Sequence, residues 1–281
     1  MSPEPDRSRA AREAAEAALV HVVHEYGTRP EFVVLGGLVP EVLCSYSDMQ
    51  HAGTTDIDIQ VDLEVASESV NAPRLEQALR AAGFIPTVDQ VWRGATAASG
   101  FRTEIKFELL ADLDDQRVGT TIAFTDCEDL GAANLRGTGF AAKDAYTQAL
   151  TAAVGGIQAE VNVYFTGLAG FLLAKAAAAR ERGAPKDWYG IAFVLLHNDM
   201  GGVQAAIDAV RRKFDGRLTG IRTELAELAA NFADRDSQGA RAYAEQIVLN
   251  NVDIDYEEAL TEGMVAVEEF CRALSGDRPG D

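Results

Sequence analysis

The sequence predicts an α+β protein in which a mixed sheet with helices is followed by an α-helical half. Up to about residue 166, several segments place apolar residues at every second position, which is typical of half-buried strands. From Gly167 onward, alanine-rich segments show helical spacing and are punctuated by Gly, Asp and Asn. We therefore predict two domains, residues 1–166 and residues 167–281.

Composition and charge limit the classes of protein that fit. The 281 residues are 47% hydrophobic and 25% charged, which is ordinary for a globular protein with an ample core. A formal net charge of -19 weighs against a surface that binds nucleic acid broadly, because phosphate would be repelled. The three cysteines are far apart and predict reduced thiols. With neither a signal-peptide core nor an apolar run of membrane-spanning length, we expect a soluble cytoplasmic protein that does not bind membranes.

The first half is predicted to alternate between strands and helices. An amphipathic N-terminal helix precedes "EFVVLGGLV", an apolar strand that ends in the turn Gly36-Gly37. A short helix "PEVLCSY" follows, and then the alternating strand "TTDIDIQVDL" and the helix "APRLEQALRAAGF". Further strands are predicted at "FRTEIKFELLADL", "TTIAF" and "QAEVNVYF".

The strand "TTDIDIQVDL" carries a row of carboxylates on one face. Asp56, Asp58 and Asp62 share this face, although Asp is a poor strand former and like charges repel. Residues two apart on a strand point the same way and stand roughly 6.6 Å apart. Asp56 and Asp58 are therefore spaced to hold one or two Mg²⁺ ions, with Glu108 from a neighbouring strand as third ligand and Glu104 as second choice. The alternative interpretation is a half-exposed strand with a solvated polar face.

The turn Gly36-Gly37 is the second candidate element. Two glycines let the backbone approach a ligand closely and present N–H groups to phosphate at the start of a helix. The alternative interpretation is a plain turn between a strand and a helix.

Four segments in this order resemble the nucleotidyltransferase superfamily with the polymerase-beta-like core. The chain looks most like its AbiEii/MenT-type branch, whose members are toxins of toxin–antitoxin and phage-defence systems. The matching segments are "VVLGGLV", "TTDIDIQV", "IKFELL" and "FLLAKAAAARERGAPKDWYGI". In the family they hold the triphosphate, the metal ions, the third carboxylate and a cluster of Lys, Arg and Asp. The resemblance therefore implies a nucleotidyltransferase-like mixed sheet in the N-terminal domain.

The resemblance also implies roles for individual residues. Catalytic roles fall on Asp56, Asp58, Glu108 and Asp187, and the first three of these would bind Mg²⁺, as two metal ions in the expected site. Nucleotide-binding roles fall on Gly36, Gly37, Lys175, Arg182 and Lys186. The chain departs from the family pattern at Glu108, where Asp is usual, and at Gly190, where the family tends to have a second acidic residue.

The residues of the last segment also have ordinary interpretations. Lys175 and Arg182 are seven apart and share a helix face, where both could meet a triphosphate. Without the resemblance, however, Lys175 would be read as a lysine extending along an apolar helix towards solvent. Asp187 would be read as a favourable charge in the first turn of a helix.

The expected activity is Mg²⁺-dependent transfer of a nucleotide from a nucleoside triphosphate to an acceptor. From the family, the acceptor would be RNA, especially a tRNA end, or protein, and a cognate antitoxin would be a partner. Two alternatives stay open: a small-molecule acceptor such as an aminoglycoside cation, or a catalytically weak member that binds nucleotide or a partner protein. A basic cluster could line a groove for tRNA or be a solvated helix face, and it comprises Arg211, Arg212, Lys213, Arg217 and Arg222.

Overall fold

The computed structural model describes residues 9–61, 71–87, 91–98 and 101–275. Asp62, the last carboxylate of the predicted row, lies outside these residues, as does the C-terminal tail. The prediction of an α+β protein with a mixed sheet is confirmed. Within the part of the chain that is described, no helix is both long enough and apolar enough to cross a membrane.

The described residues form ten α-helices, nine strands and two short 3₁₀ helices. The helices are α1 Arg9–Tyr26, α2 Val39–Leu43, α3 Ala72–Ala81, α4 Gly139–Lys143, α5 Leu168–Arg182, α6 Pro185–His197, α7 Gly202–Phe214, α8 Arg222–Ala230, α9 Gln238–Asn250 and α10 Tyr256–Ser275. The strands are β1 Val33–Leu35, β2 Asp56–Gln60, β3 Ile85–Pro86, β4 Trp92–Ala98, β5 Phe101–Ala111, β6 Thr121–Ala123, β7 Gly131–Asn134, β8 Ala145–Val154 and β9 Ile157–Thr166. The 3₁₀ helices are Gly36–Leu38 and Leu218–Ile221.

The chain packs into two compact units, and one segment of its N-terminal half belongs to the second unit. The first unit comprises Met1–Val39 and Gly53–Thr166. The second comprises Pro40–Ala52 and Gly167–Asp281. The segment Pro40–Ala52, which the sequence places in the N-terminal domain, thus packs with the helical residues.

The first unit contains a nine-stranded mixed sheet. Its main path runs in the order β3-β4-β5-β2-β1-β9-β8, and β7 pairs with β5 and β6 beside it. Strand β2 is antiparallel to β1 and parallel to β5. The hairpin partner β8 was not predicted, since its sequence "AYTQALTAAV" has no clear alternation of apolar and polar residues. Helix α1 packs against β4, β5, β8 and β9.

The alternation in β2 is explained by one buried face. Ile57, Ile59 and, on the next strand, Phe107 are fully buried. The rings of Phe32 and Phe84 both pack edge-on against Phe107. Each such side chain contributes about 2 kcal/mol on burial, so this face fixes the register of the strands. The residues between them, including Asp56 and Asp58, must then lie on the opposite face.

The second unit is helical because its sequence is alanine-rich with helical spacing. Helix α5 is buried from Leu168 to Ala179 except at Lys175. Gly183, with φ +60°, ends this helix in the left-handed conformation. The long predicted segment from Gly220 to Asn251 divides into α8 and α9.

Side chains of the helical residues hold the segment Pro40–Ala52 in place. The Asp199 carboxylate accepts hydrogen bonds from the Ser45 N–H and hydroxyl, at 2.9 and 2.7 Å. Asn251 accepts from the Gln50 N–H at 2.7 Å and donates to the Gln50 carbonyl oxygen at 3.1 Å. These contacts assign the segment to the second unit.

A buried carboxylate on α3 fixes a loop of the first unit. Glu76 is 7% exposed and accepts hydrogen bonds from the backbone N–H groups of Glu128 and Asp129, at 3.0 and 2.8 Å. Arg80 also donates to it at 3.2 Å. Burial acts to raise the pKa of Glu76, but these hydrogen bonds outweigh burial and hold the pKa below its usual range.

We predict that Glu76→Gln lowers the free energy of unfolding by about 1–3 kcal/mol at pH 7, because the charged acceptor is lost. A depressed pKa stabilises the fold above the unfolded-state pKa of about 4.3. The advantage of the native protein should therefore shrink as the pH falls through the lower folded-state pKa. Urea titrations at pH 7 and at steps down to pH 3 measure both effects.

The matched control is Glu128→Gln, since the Glu128 side chain is 86% exposed. It should change the unfolding free energy by no more than about 0.5 kcal/mol. Equal stability of Glu76→Gln and the native protein at pH 7 would show that the Glu76 contacts contribute nothing.

Candidate functional site

The glycine turn after β1 lies directly against the Asp58 carboxylate. Gly36 has φ +81°, in the left-handed region that favours glycine. A Cβ added to Gly36 would lie 2.0 Å from Asp58 Oδ2, closer than any non-bonded contact. Glycine is therefore required here both by backbone conformation and by the approach of the carboxylate.

Gly37 makes a similar approach to the loop before β2. A Cβ on Gly37 would lie 2.6 Å from the Thr54 side chain. The Thr54 hydroxyl oxygen in turn accepts a hydrogen bond from the Asp56 N–H at 3.0 Å. The two glycines thus bring the turn against both ends of the segment Thr54–Asp58.

Strands β2 and β5 bring the predicted metal ligands together. Asp58 pairs in register with Glu108, and Asp56 pairs with Lys106. Partners on neighbouring strands lie roughly 4.8 Å apart and point to the same face. Asp56, Asp58 and Glu108 are all half-buried. The side chains of these three residues therefore project from one small area of the sheet.

A lysine that was not predicted as a site residue lies within this area. The Lys106 ammonium is 2.7 Å from Glu108 Oε2, with the two side chains 31% and 22% exposed. The strand alternation places Lys106 and Glu108 two apart on the same face, which is the signal in the sequence that could have indicated their pairing. The carboxylate face thus carries its own cation.

The donor set suits a hard cation. Asp56 and Asp58 supply carboxylate oxygens, the ligands that Mg²⁺ prefers, and the missing side chain of Gly36 lets the Asp58 carboxylate lie against the turn. Glu108 is engaged by Lys106. Among the described residues, no group of three or more His, Cys, Asp or Glu side chains is arranged to hold a metal ion. The fit is therefore best for Asp56 and Asp58.

We predict that Gly36→Ala lowers the free energy of unfolding by two contributions. One is the conformational cost of alanine at a positive φ, and the other is the clash of its Cβ with Asp58. Gly83→Ala is the matched control, since Gly83 has φ +84° and nothing within 4 Å of an added Cβ. The clash should cost about 1–3 kcal/mol more in Gly36→Ala than in the control. Urea denaturation measures the difference, and equal losses would refute the close contact.

The second unit holds a buried cluster of opposite charges. Asp187 is completely buried in the first turn of α6. Its Oδ1 accepts hydrogen bonds from Lys175 at 2.7 Å and from Arg182 at 3.3 Å. Its Oδ2 lies 3.3 Å from the Arg182 guanidinium, without an aligned hydrogen bond. Three residues of the family-like segment are thus joined in one ion cluster.

The charges of this cluster keep Asp187 ionised. Burial acts to raise the pKa of Asp187, but the positive charges of Lys175 and Arg182 outweigh burial and lower the pKa. Lys186, which is half-buried, lowers the pKa further by its charge. A carboxylate with a lowered pKa is a weak proton acceptor. Its hydrogen bonds suit it instead to orienting the side chains of Lys175 and Arg182.

Gly190 lies one turn further along α6, where the family tends to have a carboxylate. An added Cβ would lie 3.9 Å from Phe171 Cζ, in ordinary van der Waals contact. The position is buried, and an added Cβ would face an apolar ring.

We predict that Asp187→Asn lowers the free energy of unfolding by about 3–5 kcal/mol at pH 7, because it leaves two cations without a buried partner. The depressed pKa of Asp187 stabilises the fold above the unfolded-state pKa of about 3.9. This contribution should be lost as the pH falls through the lower folded-state pKa.

Asp208→Asn is the control for this substitution, because Asp208 lies on the exposed face of α7. Guanidinium chloride titrations of both variants between pH 3 and pH 7 measure the effects. A loss in Asp187→Asn no larger than in the control would contradict a stabilising ion cluster.

Comparisons with protein-family models, with curated proteins and with solved structures find no match to this chain. The resemblance to nucleotidyltransferases is carried by the four sequence motifs.

Proposed function

We propose that this chain is a Mg²⁺-dependent nucleotidyltransferase that moves a nucleoside monophosphate from a nucleoside triphosphate to an acceptor. The observation that carries the proposal is the contact of the Gly36 backbone with the Asp58 carboxylate. Because of this contact, the glycine turn, which would bind phosphate, lies beside the carboxylates that would bind a cation.

The carboxylate face supplies the cation site of the proposed reaction. Asp56 and Asp58 would hold Mg²⁺, and Glu108 lies in register beside Asp58. Bound Mg²⁺ would neutralise phosphate charge and activate the attacking oxygen. Because the apolar face of β2 is buried, both aspartates are held on one side without needing a metal ion to orient them.

The glycine turn would bind the triphosphate. Gly36 and Gly37 form the start of the 3₁₀ helix Gly36–Leu38, which continues into α2. Backbone N–H groups at such a turn stabilise phosphate oxygens.

The proposed reaction is an in-line displacement at the α-phosphorus. A nucleophilic oxygen of the acceptor forms a bond to this phosphorus, and the bond to the bridging oxygen of the β-phosphate breaks. Pyrophosphate leaves with that electron pair, and the acceptor hydroxyl gives its proton to solvent water. The family resemblance assigns nucleotide contact to Lys175, Arg182 and Lys186, and Asp187 would orient the first two.

The acceptor we propose is RNA, with tRNA ends foremost, or a protein, and the physiological setting is that of a cytoplasmic toxin with a cognate antitoxin. A small cationic acceptor of the aminoglycoside type is the enzymatic alternative, because the net charge of -19 attracts cations.

A second candidate function is nucleotide binding without turnover. The 2.7 Å ion pair of Lys106 with Glu108 favours it, since this pair withdraws the third carboxylate from a metal ion. Gly190 favours it too, since its position has no acidic side chain.

We predict transfer of label from α-³²P-labelled nucleoside triphosphates to total tRNA, protein or an aminoglycoside in the presence of Mg²⁺. Asp58→Asn should lower the transfer rate at least about a hundredfold, because it removes a charged metal ligand. Glu160→Gln, an exposed substitution on β9, should transfer at the native rate.

The outcomes separate the two candidate functions. Label transfer that Asp58→Asn abolishes while circular dichroism stays native supports the enzyme. Nucleotide binding with no transfer to any of the acceptors supports the binding protein, and neither binding nor transfer rejects both.

A further inference from the structure

We propose that the carboxylate face binds one divalent cation, on Asp56 and Asp58, and that the Lys106 ammonium supplies the second positive charge. This inference rests on the proposed function. It replaces the two metal ions implied by the family resemblance with one metal ion and one lysine.

The register of the strands places Lys106 in the site. Lys106 is the cross-strand partner of Asp56, as Glu108 is of Asp58. Since partners in register share a face, Lys106 projects among the three carboxylates rather than away from them. Its ammonium bonds to Glu108 at 2.7 Å, and both side chains are mostly withdrawn from solvent.

The local charges match one divalent cation. The formal charges of the four side chains Asp56, Asp58, Glu108 and Lys106 sum to minus two. One Mg²⁺ ion brings this sum to zero. A second ion would have to take Glu108 from Lys106 and then stand beside the displaced ammonium, so electrostatic repulsion disfavours it.

The ion pair of Arg93 with Glu104 is an exposed surface pair next to Lys106, and it serves as a comparison. Arg93 on β4 pairs with Glu104 on β5, but these side chains are 51% and 63% exposed. Arg93 is the cross-strand partner of Lys106, one strand further from Asp56, and exposed pairs of this kind contribute little. Lys106 differs in its burial and in its register with Asp56, so the two pairs form a matched comparison.

The test is titration with Mn²⁺ alone, followed by the electron paramagnetic resonance signal of the free ion. The native protein should bind one Mn²⁺ per chain, and Asp58→Asn should abolish this binding. Lys106→Met removes the competing charge and frees Glu108, so it should bind Mn²⁺ about tenfold tighter or take up a second ion. Lys106→Arg keeps the charge and should retain one site of native affinity.

Arg93→Met is the control, and it should leave both affinity and stoichiometry unchanged. Thermal melts of all variants verify folding. If the native protein binds two ions, or if Lys106→Met binds as the native protein does, the role of Lys106 is refuted while the metal site stands. If the native protein binds no Mn²⁺, or if Asp58→Asn leaves Mn²⁺ binding unchanged, there is no metal site on Asp58. Both this inference and the proposed function are then refuted.

Discussion

Repulsion between carboxylates on one face of two neighbouring strands is the constraint on which the first unit depends. Asp56, Asp58 and Glu108 would not share this area without compensation. The buried face of the same strands holds them in register through Ile57, Ile59 and Phe107. Lys106 relieves part of the repulsion through its ion pair with Glu108. The buried face and this ion pair together keep the three carboxylates in one area of the sheet.

In the second unit, a buried carboxylate is compensated by two cations of the same unit. Asp187 is fully buried, and the cost of removing its charge from water is offset by Lys175 and Arg182. Three charges close together make a rigid cluster whose shape depends on all of its members. This rigidity is what a nucleotide-contacting role would need from Lys175 and Arg182. It also explains why the carboxylate is better suited to orienting groups than to accepting a proton.

Local patterns predicted the elements of the site but not the contacts between them. The alternation around Asp56 and Asp58 was sufficient to predict the strand and its two faces, because it depends only on neighbouring residues. The pairing of Asp58 with Glu108 links residues 50 apart in sequence, and nothing local determines that register. Glu108 was expected beside Asp58 from the acidic face of its own strand and from the family resemblance, and neither of these specified the register. The ion pair of Lys106 with Glu108 was also missed, although these residues are two apart on one face of β5.

Two further features show where sequence reasoning stopped. The segment Pro40–Ala52 packs with the helical unit through Asp199 and Asn251, which follow it by about 150 to 200 positions. Asp187 has the sequence context of a helix N-terminus, and it does lie there. Its burial between two cations depends on the packing of α5 against α6, which no local pattern specifies.

The most direct test of the account is a crystal structure with Mg²⁺ and a non-hydrolysable nucleoside triphosphate analogue. The account predicts triphosphate density at the turn of Gly36 and Gly37, with a cation bound by Asp56 and Asp58. An analogue bound elsewhere, with Asp58 contacting neither metal ion nor phosphate, would contradict it.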